Sequence, residues 1–267
     1  MAKTHDLVLK NGTVVNQDGA GQRDIGITNG RIAAIGSIHA GSAGKIVDCT
    51  GLHILPGVID SQVHFREPGL EHKEDLESGS RAAVLGGVTC VFEMPNTKPL
   101  TTSEEALADK VRRGTRRMHC DFAFWVGGTR DNAGDVAELE RLPGAAGIKV
   151  FMGASTGNML VDNPDTLDAI FREAPTPIIT HCEDTPTINA NLALYKVKYG
   201  DDIPVECHPD IRSREACIKS TRLAIALANL ESHVAHVFGN EVLRLKSTIK
   251  IQKRQGNNFP PAFSFLS

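Results

Sequence analysis

The chain has 267 residues, of which 41% are hydrophobic and 23% are charged. This length and composition suffice for one large α/β core plus a small second domain, and they argue against intrinsic disorder. The net charge is −3 and the sequence pI is near 6.4, so nothing in the long-range electrostatics favours nucleic acid or an anionic membrane as a partner. A small-molecule ligand fits these numbers better.

Cysteine usage and the amino terminus indicate the compartment. The six cysteines are scattered and include no Cys-x-x-Cys pair, which favours reduced thiols without disulfides. The amino-terminal residues lead directly into an alternating segment without an apolar signal core, and no apolar run has spanning length. We therefore expect a soluble, cytoplasmic protein.

The first 54 residues predict a small β unit. Short apolar runs alternate there with turn dipeptides, among them Asn11-Gly12 and Asn29-Gly30. Asn-Gly between apolar runs indicates a hairpin, because both residues tolerate a positive φ angle. We predict antiparallel pairing throughout this unit.

From residue 55 onwards, short apolar strands alternate with longer helical segments, which is the pattern of parallel βα units. Strands are predicted at 58–60, 88–93, 120–124, 147–151 and 178–181, and helices at 77–85, 103–113, 136–141, 165–173 and 214–230. Ser103, followed by Glu104 and Glu105, is predicted to cap its helix. About six such units predict an α/β fold, an incomplete TIM-like (β/α)8 barrel over residues 55–245 with its active site at the carboxyl ends of the strands.

The βα pattern fades after about Leu230. We expect residues 246–267 to be a divergent tail, and we expect the stretch from about Glu231 to be a truncated or frame-shifted end. An unfinished barrel exposes strand edges, so the chain is expected to aggregate or to need a partner.

Polar residues cluster where the predicted barrel strands end. Four of them alternate along the first strand: Asp60, Gln62, His64 and Arg66. Because alternate side chains of a strand share a face, we predict that these four point one way and that Val63 and Phe65 point the other. Lys149 and His181 end the predicted fourth and fifth strands.

The pattern Asp60-x-Gln62-x-His64 resembles the first-strand signature of the amidohydrolase superfamily, normally Asp-x-His-x-His, in its cyclic amidase branch of dihydroorotases, hydantoinases and allantoinases. The Met-Pro-Asn-Thr segment at 94–97 is similar to that of dihydroorotases. The resemblance covers residues 6 to about 230. It implies a barrel of the metal-dependent hydrolase type, with the small β unit forming half of a composite β-sandwich.

The resemblance also implies a metal centre of one or two zinc ions. It assigns His64 and His181 as ligands, together with Lys149 after carbamylation by carbon dioxide. Carbamylation is needed because an unmodified ammonium group has only hydrogen-bond donors. The alternative for Lys149 is a strand-end lysine that reaches solvent.

Two further metal positions leave alternatives open. Gln62 replaces a family histidine, and an amide oxygen is a poor zinc ligand, so Gln62 is either a substitute ligand or a hydrogen-bonding residue of the barrel mouth. His236, in the run His233-Val234-Ala235-His236, matches the family's sixth-strand spacing but not its flanking sequence. It is either a ligand or a surface residue.

The substrate site is implied by Arg66 and Asn96, which in dihydroorotases hold the substrate carboxylate. A salt bridge to Glu67 or Asp60 is the alternative for Arg66. The implied reaction is the reversible hydrolysis of dihydroorotate to N-carbamoyl-L-aspartate in pyrimidine biosynthesis. We identify no catalytic residue, because the family's general acid/base aspartate ends an eighth strand that this chain does not contain.

Two other functions remain open. Hydantoinases and allantoinases bind rings without that carboxylate, and the pair Arg66 and Asn96 argues against them. The other reading is a catalytically silent dihydroorotase-like subunit that supports a partner such as aspartate carbamoyltransferase, which Gln62 and the missing aspartate favour. The expected partners are a small carboxylate-bearing substrate and either a second copy of the chain or that partner enzyme.

Overall fold

The computed structural model describes residues 4–153, 159–175, 178–230 and 235–238. The chain forms two compact units that divide between Val58 and Ile59. None of the helices in these ranges combines the length and apolar character needed to cross a bilayer. All six cysteines are free thiols.

A mixed five-stranded sheet forms the first unit. Its strands are β1 (His5–Asn16), β2 (Gly19–Thr28), β3 (Arg31–Gly36), β4 (Ala43–Asp48) and β5 (His53–Ile54), in the order β3-β2-β1-β4 with β5 also on β1. The β1–β2 and β2–β3 pairs are antiparallel, as predicted. The prediction is wrong for β4 and β5, which pair with β1 in parallel.

The two Asn-Gly dipeptides have different roles. Asn29 and Gly30, with φ angles of 52° and 71°, form the predicted turn between β2 and β3. The predicted turn at Asn11-Gly12 is wrong, because β1 runs through it and its register with β2 shifts between Leu9 and Gly12. Asn11 has a φ of 62°, so the dipeptide uses its tolerance of positive φ to form a bulge instead of reversing the chain.

A six-stranded sheet forms the second unit. Its strands are β6 (Val58–Val63), β7 (Val88–Glu93), β8 (Asp121–Gly127), β9 (Ala145–Met152), β10 (Ile178–Cys182) and β11 (Ala235–Phe238), in the order β11-β10-β9-β8-β7-β6. Strands β7 to β11 pair in parallel. The helices are α1 (Leu76–Leu85), α2 (Glu104–Gly114), α3 (Val136–Leu139), α4 (Pro164–Glu173), α5 (Thr185–Tyr199), α6 (His208–Ile211) and α7 (Arg214–Leu230). The predicted partial TIM barrel is confirmed.

Helices α5 and α6 and strand β11 of the second unit are not among the elements predicted from apolar periodicity. Helix α5 has no continuous apolar stripe: Leu194 and Val197 are exposed, and only Ile188 is buried. Without such a stripe, helical periodicity is not visible in the sequence. The expectation that the pattern ends near Leu230 is also wrong, because β11 pairs with β10 and adds a sixth strand.

Side-chain alternation in the strands separates two apolar layers. The larger layer lies between the sheet and the helices and includes Val91, Phe124, Ile148 and Ile170. Val63 and Phe65 belong to this layer, so their predicted direction is confirmed. The smaller layer is built by Met94, Ala123, Trp125, Ala146 and Ile179.

Candidate metal and substrate site

The end of β6 sets the position of His64. The strand ends at Val63, and Phe65 is buried in the layer beneath the helices. Strand alternation does not extend to Arg66, whose φ of 69° lies in the left-handed region. The prediction that Arg66 follows the strand's alternation is therefore wrong, and a turn sets its direction.

His64 is held by the end of the neighbouring strand. Its Nδ1 lies 3.0 Å from Oδ1 of Asn96, so an Nδ1–H donates to that oxygen and leaves Nε2 as the ring's lone-pair atom. Burial, together with the positive charges of Arg66 and Lys149, lowers the pKa of His64 to about 4, against the opposing effect of the hydrogen bond to Asn96. The imidazole is therefore neutral near pH 7, as metal ligation requires.

Lys149 is buried in the sheet, with its side chain only 1% exposed. Its Nζ lies 4.8 Å from the centroid of the Phe151 ring. Burial lowers the pKa of Lys149 to about 8. A lysine that snorkels to solvent is excluded by this burial, and the lowered pKa increases the fraction of neutral amine, which is the form that reacts with carbon dioxide.

His181, at the end of β10, is oriented by a buried carboxylate. Its Nε2 lies 2.6 Å from Glu183 Oε2, and the Glu183 carboxylate is also held by Arg212, whose Nε lies 2.7 Å from Oε1. Burial raises the pKa of Glu183, but the hydrogen bonds from His181 and Arg212 outweigh it and lower the pKa to about 2. The ionised carboxylate fixes the His181 proton on Nε2 and leaves Nδ1 as the lone-pair atom.

A glycine lets the end of β9 approach Glu183. Gly153 has a φ of 109°, and a Cβ at this position would clash with the backbone carbonyl oxygen of Glu183. The neighbouring amide of Glu183 donates to the carbonyl of Met152 at 3.1 Å. The close contact between the β9 and β10 ends therefore requires glycine at position 153.

The two remaining candidate ligands lie on the edge strands of the sheet. His236 on β11 pairs in register with Ile179, which pairs with Lys149, so His236 and Lys149 occupy one row across three strands. His233 lies outside the described residues. Gln62 is half-buried on β6, and its backbone amide donates to Asp60 Oδ1 at 3.0 Å.

The donor chemistry of these residues fits a divalent zinc ion. His64 and His181 each have one ring nitrogen bonded to an oxygen acceptor and the other ring nitrogen as a lone-pair donor, the arrangement usual for metal-ligating histidines. Lys149 contributes oxygen ligands only as a carbamate. No group of three His, Cys, Asp or Glu side chains within the described ranges forms a metal site, so the candidate set depends on that modified lysine.

Arg66 lies close enough to His64 for its charge to act on the imidazole, and its guanidinium is available for a ligand. Glu67, the alternative partner from the sequence, instead pairs with Arg117 at 2.7 Å and with Arg113 at 3.5 Å. Among the described residues the Arg66 guanidinium forms no salt bridge. The Asn96 amide group, whose oxygen faces His64, keeps its two N–H donors.

Sequence reasoning assigned no role to two charged pairs, of which the first is buried on both sides and the second is buried at its carboxylate. One is Glu93 with Lys110, and the other is Glu183 with Arg212. The available signals were Glu93 ending an apolar strand and Lys110 lying three residues after Leu107 on the buried face of α2. Burial raises the pKa of Glu93 and lowers the pKa of Lys110, and their mutual attraction opposes both shifts.

Comparison with known proteins agrees with this architecture. Residues 53–238 match the model of the amidohydrolase family. An allantoinase of Rubrobacter xylanophilus is 38% identical over 69% of this chain and 41% of its own length. An Escherichia coli allantoinase is 32% identical over 88% of this chain and 54% of its own. A dihydroorotase of Methanothermobacter thermautotrophicus is 31% identical over 83% of this chain and 50% of its own.

The similarity extends to solved structures. The L-hydantoinase of Arthrobacter aurescens superposes with a TM-score of 0.80 and 28% identity over 88% of this chain and 52% of its own. The chain thus spans about half the length of the relatives it matches. The matched sequence, the parallel sheet and the polar strand ends lead to one conclusion: the chain belongs to the amidohydrolase family, in the cyclic amidase branch that includes allantoinases, dihydroorotases and hydantoinases.

Proposed function

We propose that this protein is a metal-dependent cyclic amidohydrolase of dihydroorotase type, which reversibly hydrolyses dihydroorotate to N-carbamoyl-L-aspartate. One observation supports a carboxylate-bearing substrate: within the described residues Arg66 makes no salt bridge, and it lies near the hydrogen-bonded pair of His64 and Asn96. A guanidinium group binds a carboxylate through two parallel hydrogen bonds. The Asn96 amide adds a neutral donor.

Each residue of the site has a distinct task in this proposal. Zinc bound by His64, His181 and carbamylated Lys149 would act as a Lewis acid and lower the pKa of bound water to about 7. His64 stays neutral because its pKa is about 4. Glu183 keeps the His181 proton on Nε2. Arg66 and Asn96 bind the substrate carboxylate and so orient the ring.

The second candidate is allantoin hydrolysis. The allantoinases of Rubrobacter xylanophilus and Escherichia coli support it, at 38% and 32% identity. Allantoin has no carboxylate. An enzyme for this ring therefore leaves the charge of Arg66 without a substrate partner, and this difference makes Arg66 the residue to test.

The test measures hydrolysis of dihydroorotate, allantoin and hydantoin by one purified sample, together with zinc per chain. We expect dihydroorotate to be preferred. Arg66→Gln should raise KM for dihydroorotate about 10- to 100-fold, the value of a charge-assisted hydrogen bond, and leave KM for the neutral rings unchanged. Arg112→Gln, at a side chain 75% exposed on α2, is the control.

Other outcomes favour the alternatives. Preferred hydrolysis of allantoin, with no effect of Arg66→Gln, would establish the second candidate. Bound zinc without turnover of any ring would support a non-catalytic subunit, the role that Gln62 motivates. In that case co-purification with aspartate carbamoyltransferase is the next measurement.

A further inference from the structure

A fully buried ion pair contacts the backbone of the segments that carry Arg66 and Asn96. Glu93 ends β7 and Lys110 lies in the middle of α2, and each side chain is 1% exposed. Neither residue belongs to the proposed metal ligands or to the proposed carboxylate contacts. Their contacts nevertheless reach both halves of the carboxylate site.

The pair joins three segments of chain. Glu93 Oε2 pairs with Lys110 Nζ, and Glu93 Oε1 accepts a hydrogen bond from the backbone amide of Arg66 at 3.2 Å. Lys110 Nζ also donates to the carbonyl of Met94 at 2.9 Å. Met94 is two residues before Asn96, so the pair contacts the backbone on the Arg66 side and on the Asn96 side.

Stability alone is a weak reason for this arrangement. Burying two charges costs several kcal/mol per ion in desolvation, and well-packed apolar residues of similar volume are often as stable. What apolar side chains lack is a hydrogen-bond acceptor for the Arg66 amide. Arg66 needs one, because its φ of 69° is unfavourable for a residue with a Cβ and must be maintained by its surroundings.

We propose that Glu93 and Lys110 are positioning residues for carboxylate recognition: Glu93 holds the Arg66 backbone through its amide, and Lys110 holds Glu93 and the segment leading to Asn96. The functional consequence rests on the proposed function, since it needs a ligand carboxylate. The structural consequence, a fixed Arg66 backbone, is measurable without a ligand.

Two double variants separate positioning from packing. Glu93→Met with Lys110→Met removes the charges and the acceptor at nearly constant volume, whereas Glu93→Gln with Lys110→Met removes the charges but keeps an acceptor oxygen. Calorimetry with N-carbamoyl-L-aspartate should show binding weakened about 10- to 100-fold in the first variant, as for a misplaced contact, and a clearly smaller loss in the second, which keeps the acceptor for the Arg66 amide and loses the Lys110 contact to Met94. Arg112→Gln, at a side chain 75% exposed on α2, is the control and should bind normally.

Hydrogen exchange of the Arg66 amide gives a readout that needs no substrate. We expect the amide to be as well protected as that of Val91 in the unsubstituted protein and in the glutamine variant, and to exchange faster in the methionine variant. Equal binding and equal exchange in both double variants would overturn the proposal and leave the proposed function intact.

Hydrogen exchange of the Arg66 amide also decides two further cases. If the unsubstituted protein binds N-carbamoyl-L-aspartate no better than a neutral ring, the proposed function fails, and Arg66 exchange still tests the positioning role. If the methionine variant does not fold, the unsubstituted protein decides: core-like protection of the Arg66 amide supports the proposal, and free exchange overturns it.

Discussion

Asp24 shows how burial and hydrogen bonding act together on a single carboxyl group. Its Oδ2 accepts from Lys10 Nζ at 2.7 Å and from the Ile38 amide at 2.9 Å, and its Oδ1 accepts from the Asn11 amide at 2.9 Å. Burial raises the pKa of Asp24, but these hydrogen bonds outweigh it and lower the pKa to about 2. The carboxylate therefore fixes the β1 bulge in its ionised form.

The pKa shift of Asp24 predicts a pH-dependent stability. Because the folded-state pKa is below the unfolded value of 3.8, the ionised group stabilises the protein above about pH 4, and this contribution is lost as the pH falls towards 2. Asp24→Asn should lower the free energy of unfolding by about 1–2 kcal/mol at pH 7, and the difference should vanish near pH 2. Urea unfolding at several pH values measures this, with Asp18→Asn in the exposed β1–β2 turn as control. A difference that persists at pH 2 would contradict it.

Single residues of the site were partly predictable from the sequence. His64 and His181 were proposed as ligands because each lies at the end of an apolar strand, and strand ends meet at one edge of a parallel sheet. Lys149 was predicted to end its strand, but it lies inside β9, and the role of all three as ligands stays a prediction. Lys110 and Arg212 were missed because their carboxylate partners are 17 and 29 residues away. A long-range ion pair leaves no periodic signal in the sequence.

The helices of the barrel show what local patterns can predict. Ser103 caps α2 as predicted, accepting a hydrogen bond from the Ala106 amide at 3.3 Å. Asp75 caps α1 more fully, since its Oδ1 accepts from the amides of Glu77 and Ser78, both at 2.9 Å. Cap residues act within one turn, so the sequence carries this information. At Asn11-Gly12 the sequence does not distinguish a bulge from a turn, because both require a positive φ angle.

The cap of α1 can be tested directly. Asp75→Ala leaves the Glu77 and Ser78 amides without their acceptor and should lower the free energy of unfolding by about 1 kcal/mol. Asp135→Ala is the matched control, because Asp135 precedes α3 without a side-chain cap bond, and it should cost less. Urea unfolding measures both variants. Equal losses would mean that the Asp75 hydrogen bonds contribute nothing beyond a generic substitution.

At the scale of the whole barrel unit, the residues that stabilise the fold are separate from the polar residues of the candidate site. The large layer under the helices is mainly apolar, and Lys110 is buried beside its Phe124 ring. The histidine and glutamate groups of the candidate site lie at the strand ends, and Lys149 lies inside β9. The sequence predicted this division well, because alternation along the strands and amphipathic helices produce the same outer layer. Apolar periodicity did not show β11, because a four-residue strand has too short a pattern, and only the spacing of His236 pointed to a sixth strand there.

The outer layer should dominate the stability of this unit. Ile170 on α4 is fully buried, so Ile170→Ala should lower the free energy of unfolding by about 2–5 kcal/mol through lost transfer energy and a cavity. Ile225→Ala, at a residue 48% exposed on α7, should cost well under half of that. Fluorescence of Trp125, the single tryptophan, reports the transition. Similar costs for both variants would contradict the layered core.

The hydrogen bond between His64 and Asn96 joins the proposed metal centre to the proposed substrate site through one amide group. Two ligands that depend on a shared group are thermodynamically linked, and the linkage is reciprocal. Any factor by which a carboxylate ligand changes zinc affinity must equal the factor by which zinc changes the affinity for that ligand. In the proposed enzyme, metal retention would therefore report on carboxylate occupancy through the His64–Asn96 pair.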